Sequence, residues 1–374
     1  MKAIEELKQK INELRSQYSK LEPVHRKQVH TAYEKQFKRY LSENGFKDTP
    51  VDGEAEYVNK WKQLYDLVEP YSYRLFSKFI GKTPYIVPED IGHNIIEEIL
   101  NPIRYRAYYA DKNVFTQVVG KEYFPESVAG RILGGVILDK DLRPISEEDF
   151  NSIINNYESL IIKPSIGSCS GMGFMKFKRI GSELRSGEHT LNWAFLKQYG
   201  DNFIIQKTLK QSSFMAQFCP TAVNTMKLGL YRSVKDEKSH VICGVLRMGS
   251  TGELVDNSLA GGRFVGIDVK TGKLGARVFK ATGHPVTRWN DVDFENNTFV
   301  VPNWDKIIDM AKKVSQKIHH HRLLGLDVTL DENNNPLLIE YNLNSYSYFY
   351  FLFTGQKPLG EYTDEIIDYC KERI

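Results

Sequence analysis

Two acidic residues and an amide near the C-terminal end have the types and the spacing to hold a hard cation. Asp327 lies in the apolar run 326–330, and Glu340 and Asn342 lie in the run 337–342, with Asp331-Glu332-Asn333-Asn334-Asn335-Pro336 between them. Apolar runs of strand length around a turn-forming stretch predict a β-hairpin with a longer loop. If Leu330 and Leu337 flank that loop, antiparallel pairing sets Asp327 directly opposite Glu340. Asn342, two residues on, shares the face of Glu340. Like charges opposed on a sheet repel, and a cation between them removes the conflict. Two carboxylates and an amide oxygen suit Mg²⁺, which completes its shell with water and phosphate. A solvated edge hairpin with its acids apart is the plain alternative.

A second stretch has phosphate chemistry in it. Leu160-Ile161-Ile162-Lys163-Pro164 is a short apolar run ending in a lysine, and Ser165-Ile166-Gly167-Ser168-Cys169-Ser170-Gly171-Met172-Gly173 follows it. Residues 174–180 then alternate Met175 and Phe177 with Lys176 and Lys178, so the order is strand, glycine loop, strand. A Walker loop or a dinucleotide fingerprint would open a helix after its glycines, and no GK[ST] is present. Glycines let backbone N–H groups close on phosphate oxygens, and Lys163 adds a point charge at the strand end. A flexible hairpin tip fits the same residues.

The elements that would position these groups are mixed. Residues 202–209, 222–231 and 241–246 read as strands. In the second of these, period two sets Asn224, Met226 and Leu228 on one face and Thr225 and Lys227 on the other. A polar, glycine-bearing loop at 256–263 leads into 264–268. An amphipathic helix is expected from Trp304 to His321, ending in His319-His320-His321. Adjacent residues on a helix point in different directions, so the triplet reads as cations favourably placed at a helix C-terminus. At the other end, Ile4, Leu7, Ile11, Leu14, Tyr18 and Leu21 recur at alternating spacings of three and four. That is one apolar helix stripe, read as packing against the rest of the protein, with dimerisation second. Glu22-Pro23 is expected to end or kink that helix. From 29 to 80 the pattern stays mostly helical.

Composition sets the class. A chain of 374 residues can bury more than one core. Its 41% hydrophobic and 26% charged content is that of a soluble globular protein. A net charge of +3 excludes the broad basic footprint of nucleic-acid binding. The opening MKAIEELKQK has no apolar h-region, so no signal peptide is expected, and no apolar run approaches the roughly 18 residues of a membrane span. Cys169, Cys219, Cys243 and Cys370 form no CxxC pair and read as reduced thiols in a cytoplasmic protein.

Taken in order, Asp111-Lys112, IIKPSIGSCSGMGF, VNTMKL, VDNSLAGGR, GHPVTRW with the later Val301-Pro302-Asn303-Trp304, and LGLDVTL with LLIEYN resemble the ATP-grasp superfamily. Within it they are most similar to the sugar-transfer-associated family, over roughly 105–345. The resemblance implies an α+β fold in which two subdomains grip ATP, preceded by N-terminal helices. The divisions it suggests are an N-terminal helical segment 1–45, a helical region 46–105, a subdomain 106–208 with the glycine loop and a subdomain 209–374 with the metal site.

It also implies roles. Lys112 and Lys163 would bind phosphates under the loop carrying Gly167, Ser168, Ser170, Gly171 and Gly173, and Gln206, Lys207 and Leu209 would contact adenine. Asp327, Glu340 and Asn342 would hold Mg²⁺. Arg247, Arg263 and Lys227 would supply catalytic charge, Arg247 first. Asn224, Asp256, Asn257, Gly261 and Gly262 would line the acceptor side. Two positions depart from the family pattern: Gln206 stands where glutamate is usual, and Lys227 where arginine is usual. Lysine keeps the charge but loses the bidentate fork.

The activity the resemblance implies is ATP- and Mg²⁺-dependent joining of a carboxylate to an amine through an acyl phosphate, on a sugar acid of cell-surface polysaccharide synthesis. The partners expected are a small-molecule or saccharide carboxylate and an amine, with no nucleic acid and no membrane span, in a monomer or homodimer. Phosphotransfer to a hydroxyl and a non-catalytic nucleotide-binding assembly factor are the other two readings.

Overall fold

The structure, a computed structural model, describes residues 2–167, 172–253, 256, 258 and 261–374, with the side chains of 2–6, 8, 9 and 15–23 left aside. Seven strands form a first sheet: β1 (Ser127–Arg131), β2 (Ile137–Asp139), β3 (Ser159–Pro164), β4 (Met175–Ile180), β5 (Glu183–Ser186), β6 (His189–Thr190) and β7 (Phe203–Lys207). Their order is β2-β1-β7-β3-β4-β5-β6, antiparallel throughout. The alternation in β3 explains its orientation. Leu160 and Ile162 enter a core with Phe177 and Ile205 under the helices Glu147–Ile154 and Trp193–Tyr199. Ile161 and Lys163 therefore face the other way.

The second sheet takes β8 (Thr225–Arg232), β9 (Ser239–Met248), β10 (Arg263–Ile267), β11 (Leu274–Lys280) and β12 (Gly283–Val286). After a small hairpin, β13 (Arg288–Trp289) and β14 (Val292–Asp293), come β15 (Leu323–Leu330) and β16 (Pro336–Asn342). The order is β12-β11-β10-β9-β8-β15-β16. Both β8 and β15 are buried along their whole length. Met226, Leu228, Leu326 and Val328 pack on Ile307, Met310, Ala311 and Val314 of the helix Trp304–Lys317. That helix ends at Lys317, short of the expected His321, because Ile318 turns away with φ −95 and ψ 70.

The predicted hairpin forms, with one residue more than expected. Leu330 pairs with Pro336, not Leu337, and Thr329 and Val328 pair with Leu337 and Leu338. A bulge then takes up Ile339, so Asp327 still faces Glu340, and Asn342 faces Gly325. An extra residue on one strand re-aims the side chains beyond it; here it brings the acid pair back into opposition.

The N-terminal helix runs from Lys2 to Glu43 through Pro23, where an end or a kink is expected. Its second half is anchored: Phe37 and Leu41 are buried, and Phe37 meets Phe76 at 5.6 Å. Its first half is not. Leu7, Ile11 and Leu14 are exposed by 65%, 43% and 57%, so the described part of the apolar stripe does not pack on the rest of the chain. The helices Glu54–Trp61 and Tyr71–Ile80 and the run 89–100 join Tyr348–Phe353 and Thr363–Lys371 in one core with Tyr231, Cys243, Val245 and Phe264. That helical layer covers part of the sheet face opposite the helix Trp304–Lys317. The remainder of the face is open.

Candidate active site

The open part of the second sheet and the Ile161–Lys163 face of the first line one cleft of about 1600 Å³. Strand pairing dictates what points into it. Lys227 is opposite Asp327, Asp327 opposite Glu340, and Thr225 opposite Arg247. Directly paired residues share a face. The charged row Glu340–Asp327–Lys227 therefore crosses three strands, with Thr225 and Arg247 beside it on the same face, on the side away from Met226 and Leu326.

Asp327 is the hub of that row. It is 3% exposed. Its Oδ2 forms an ion pair with the Arg247 guanidinium at 3.1 Å and accepts from the Asn342 amide nitrogen at 3.4 Å. Its Oδ1 is buried with no hydrogen-bond partner, and the Lys227 ammonium stands 3.9 Å away. Gly325 leaves room for that lysine: a Cβ there would lie 3.1 Å from its Nζ. Burial weakens the hold of Lys227 on its proton, and Asp327 opposes the shift. Arg247 reaches Thr225 Oγ1 from Nε and Nη2 at 3.1 and 2.6 Å, and Asp256 at 3.5 Å. The Thr225 hydroxyl donates in turn to Asp256. Burial alone would loosen the Arg247 proton, but Asp256 and Asp327 outweigh it and hold the guanidinium charged.

From the first sheet side, Lys112 follows the helix Arg106–Ala110 and its ammonium meets Glu340 Oε2 at 3.5 Å. Its backbone N–H donates to Ser165 O at 3.0 Å, tying it to the end of β3. Lys163 lies half-buried near both; desolvation brings its ammonium pKa down from 10.5 to about 8, with Glu340 opposing and Lys112 adding to the shift. The row Lys176–Ile161–Gln206 continues the cleft wall, and Gln206 reaches Pro125 O at 3.5 Å. Four cations converge here on three carboxylates, and an anionic ligand would meet the remaining positive charge.

The donor set fits a hard cation held jointly with such a ligand. Among the described residues no three His, Cys, Asp or Glu side chains gather as a self-sufficient metal site. The unpartnered Asp327 Oδ1 and the opposed Glu340 carboxylate supply two oxygens, and the Asn342 amide a third. Mg²⁺ bound through one or two carboxylates takes its remaining ligands from phosphate and water.

Of the residues expected in the site, Lys112, Lys163, Gly167, Gln206, Lys207, Leu209, Lys227, Arg247, Asp256, Asp327, Glu340 and Asn342 line the cleft. Ser168, Ser170, Gly171 and Asn257, with Cys169, lie outside the described residues. The structure does not bring the others there. Arg263 pairs with Met248, so it shares the face of the far helix, and its guanidinium stacks on Trp289 at 4.7 Å. Asn224 is fully buried: its amide nitrogen donates to Met215 O and Cys219 O, and its oxygen accepts from Gly249 N. Gly173 packs on Pro164 at a φ of +74, and its carbonyl accepts from the Tyr199 hydroxyl. Gly261 has a φ of +97 and accepts from Ser250 at 2.9 Å, and Gly262 is buried.

Other residues in the cleft were not expected. Thr225 ties Arg247 to Asp256; its place on the face of Lys227 was the available signal. Lys176, Ser345, Ser347 and Tyr350 also line the cleft. Tyr105 stacks on His320 at 4.2 Å and the Tyr109 hydroxyl meets His320 Nδ1 at 2.7 Å, which accounts for one member of the histidine triplet without a metal.

A family model described as sugar-transfer associated ATP-grasp matches residues 96–357. No curated protein matches the chain by sequence. Among solved structures the chain is similar to the ATP-grasp ligase PsnB complexed with minimal precursor, Mg and ADP, at 12% identity and a TM-score of 0.41. That match covers 73% of this chain and 62% of the other, so the chain spans less than two thirds of that ligase. D-cycloserine synthetase DcsG matches at 10% identity over 73% of each chain, with a TM-score of 0.39. The L-amino acid ligase from Bacillus licheniformis matches at 10% identity over 67% of this chain and 48% of its own, with a TM-score of 0.34.

Proposed function

The chain belongs to the sugar-transfer associated ATP-grasp family, and from that premise we propose that it is an ATP- and Mg²⁺-dependent carboxylate–amine ligase. What carries this reading is one arrangement: Asp327 faces Glu340, and Lys112, Lys163, Lys227 and Arg247 surround them in the same cleft.

A carboxylate is a poor acyl donor because oxide is a poor leaving group. In the first step a substrate carboxylate oxygen attacks the γ-phosphorus of ATP. The bond to the β–γ bridging oxygen breaks, ADP leaves, and an acyl phosphate remains. In the second step an amine nitrogen attacks the acyl carbon, the carbon–oxygen bond to phosphate breaks, and the amine gives up a proton to leave an amide. The chain's part is positioning and charge neutralisation. Lys112 and Lys163 hold phosphate oxygens, and Gln206, Lys207 and Leu209 face the base. Arg247 covers the charge that develops on the transferred phosphoryl group, held in aim by Thr225 and Asp256. Asp327, Glu340 and Asn342 would hold Mg²⁺, which would supply neutralisation of the phosphate charge.

The acceptor in this reading is the carboxylate of a uronic acid or related saccharide, joined to an amino acid or amine in the assembly of a cell-surface polysaccharide. The reaction takes place in the cytoplasm, where ATP is supplied. No helix among the described residues is long and apolar enough to cross a membrane.

Screening ADP release against uronic acids and amino acids, singly and paired, tests the reading. ADP and inorganic phosphate are expected only when carboxylate and amine are both present. ADP formed with an alcohol that has no carboxylate, the alcohol gaining phosphate, would make the protein a kinase.

Lys163 gives a second expectation. Its pKa is near 8 in the folded chain and 10.5 when exposed. Between those values the unfolded chain binds more protons, so this group makes stability rise with pH there. Below pH 8 the buried charge is a constant cost. Phosphates placed beside Lys163 would return the proton. Binding of Mg–AMPPNP at pH 8.5 is therefore expected to take up a fraction of a proton, read by calorimetry in two buffers of different ionisation enthalpy. Lys163→Met is expected to remove that uptake.

A further inference from the structure

The cleft wall beyond Asn342 holds an unusual backbone. Ser345 and Ser347 both line the cleft, and both sit in the left-handed region, with φ of 60 and 65. A non-glycine residue pays sterically for that conformation and keeps it only where its surroundings over-determine it. The intervening Tyr346 and the following Tyr348 are buried in the helical layer.

Beside the buried Tyr346 hydroxyl, which donates to Pro358 O at 2.9 Å, one helix outside the two sheets supplies acceptors for the backbone N–H groups of this stretch. The run 89–100 is α-helical at Glu89–Ile91 and Glu97–Leu100, with a π turn at Gly92–Ile96. Glu89 Oε1 accepts the Phe349 N–H at 2.8 Å and Glu97 Oε1 accepts the Tyr346 N–H at 3.1 Å. Just beyond the helix, Asn101 donates to Leu343 O at 3.0 Å and accepts from Leu323 N at 3.0 Å. The three side chains are 4%, 1% and 0% exposed. A carboxyl oxygen accepts from a backbone N–H whether or not the group is ionised, and burial pushes the Glu89 carboxyl up from its usual range.

The π turn explains how Glu89 and Glu97 reach the same segment. Eight residues of α-helix overshoot two full turns by about 80°. One extra residue in a π turn takes back about 100°, turning that lead into a lag of about 20° and setting both carboxylates near one stripe.

We infer that Glu89, Glu97 and Asn101 are positioning residues, and that the π-bulged helix is a template that imposes the conformation of Ser345 and Ser347. It thereby shapes the wall against which the acceptor lies. The acceptor clause rests on the ligase reading above; the template itself does not.

Hydrogen exchange on the full chain separates the two. Glu89→Ala and Glu97→Ala are expected to speed exchange across 343–350 by about tenfold, while exchange in β3 stays at the parent rate. Glu89→Gln and Glu97→Gln, whose amide oxygens still accept, are expected to restore most of the protection. With a carboxylate–amine pair that turns over, the alanine variants are expected to raise the carboxylate KM about tenfold and leave the KM for ATP within about twofold. Unchanged exchange in the alanine variants, an equal rise in β3, or glutamine variants no better than alanine would each overturn the template. If the parent forms no ADP with any such pair, the ligase reading fails, and the exchange result still decides the template.

Discussion

Asp327→Ala is expected to cut ADP formation by about a thousandfold, the scale seen when a principal charge-stabilising group is lost from an active site. It should also destabilise the fold. Asp327 is the shared counter-charge of Arg247 at 3.1 Å and Lys227 at 3.9 Å, and Lys227 is only 3% exposed. Removing one partner of a buried pair leaves an uncompensated charge, at a cost of about 3–5 kcal/mol. Asp327→Asn keeps the shape and loses the charge, so it should share most of both effects. Steady-state ADP release and chemical denaturation read the two losses separately. If Asp327→Ala lost stability but kept full turnover, the carboxylate would be a counter-ion only.

The second large effect is expected at Arg247. Its fork holds Thr225, Asp256 and Asp327 at once. A lysine ammonium is a point charge that cannot reproduce that geometry. Arg247→Lys is therefore expected to lower kcat by about a hundredfold and to change the Kd for Mg–AMPPNP by less than about threefold, because its contribution grows with charge on the moving phosphoryl group. Arg263→Lys, on the opposite face and stacked on Trp289, should change kcat by less than about twofold. Equal losses at the two arginines would contradict this assignment.

That contrast shows where the sequence was legible. Period two separates Asn224 from Thr225 and Lys227, yet Asn224 was still expected on the acceptor side; it is enclosed just before β8 by backbone partners the pattern does not show. The face of Arg263 was not legible, because it depends on which residue of β9 lies beside it, and pairing between strands is non-local. The opposition of Asp327 and Glu340 follows in the sequence from a Leu330–Leu337 pair that does not form, and holds because the bulge takes up the one-residue difference. The bulge at Ile339 was not readable, since nothing in Leu337-Leu338-Ile339 marks an extra residue. The strained serines were equally hidden. Serine has no special preference for left-handed backbone, and the groups that impose it lie some 250 positions away in sequence, at Glu89 and Glu97. Of the N-terminal stripe, Leu7, Ile11 and Leu14 are exposed and the side chains of Ile4, Tyr18 and Leu21 lie outside the described residues; a heptad pattern shows that a helix has an apolar face, not what covers it.

The most direct measurement is a crystal structure with Mn²⁺ in place of Mg²⁺ and AMPPNP in the cleft. The account predicts an anomalous peak within coordination distance of oxygens of Asp327 and Glu340, with the nucleotide phosphates on its other side. Nucleotide bound with its metal away from both carboxylates, or a peak that persists unchanged in Asp327→Ala, would contradict it.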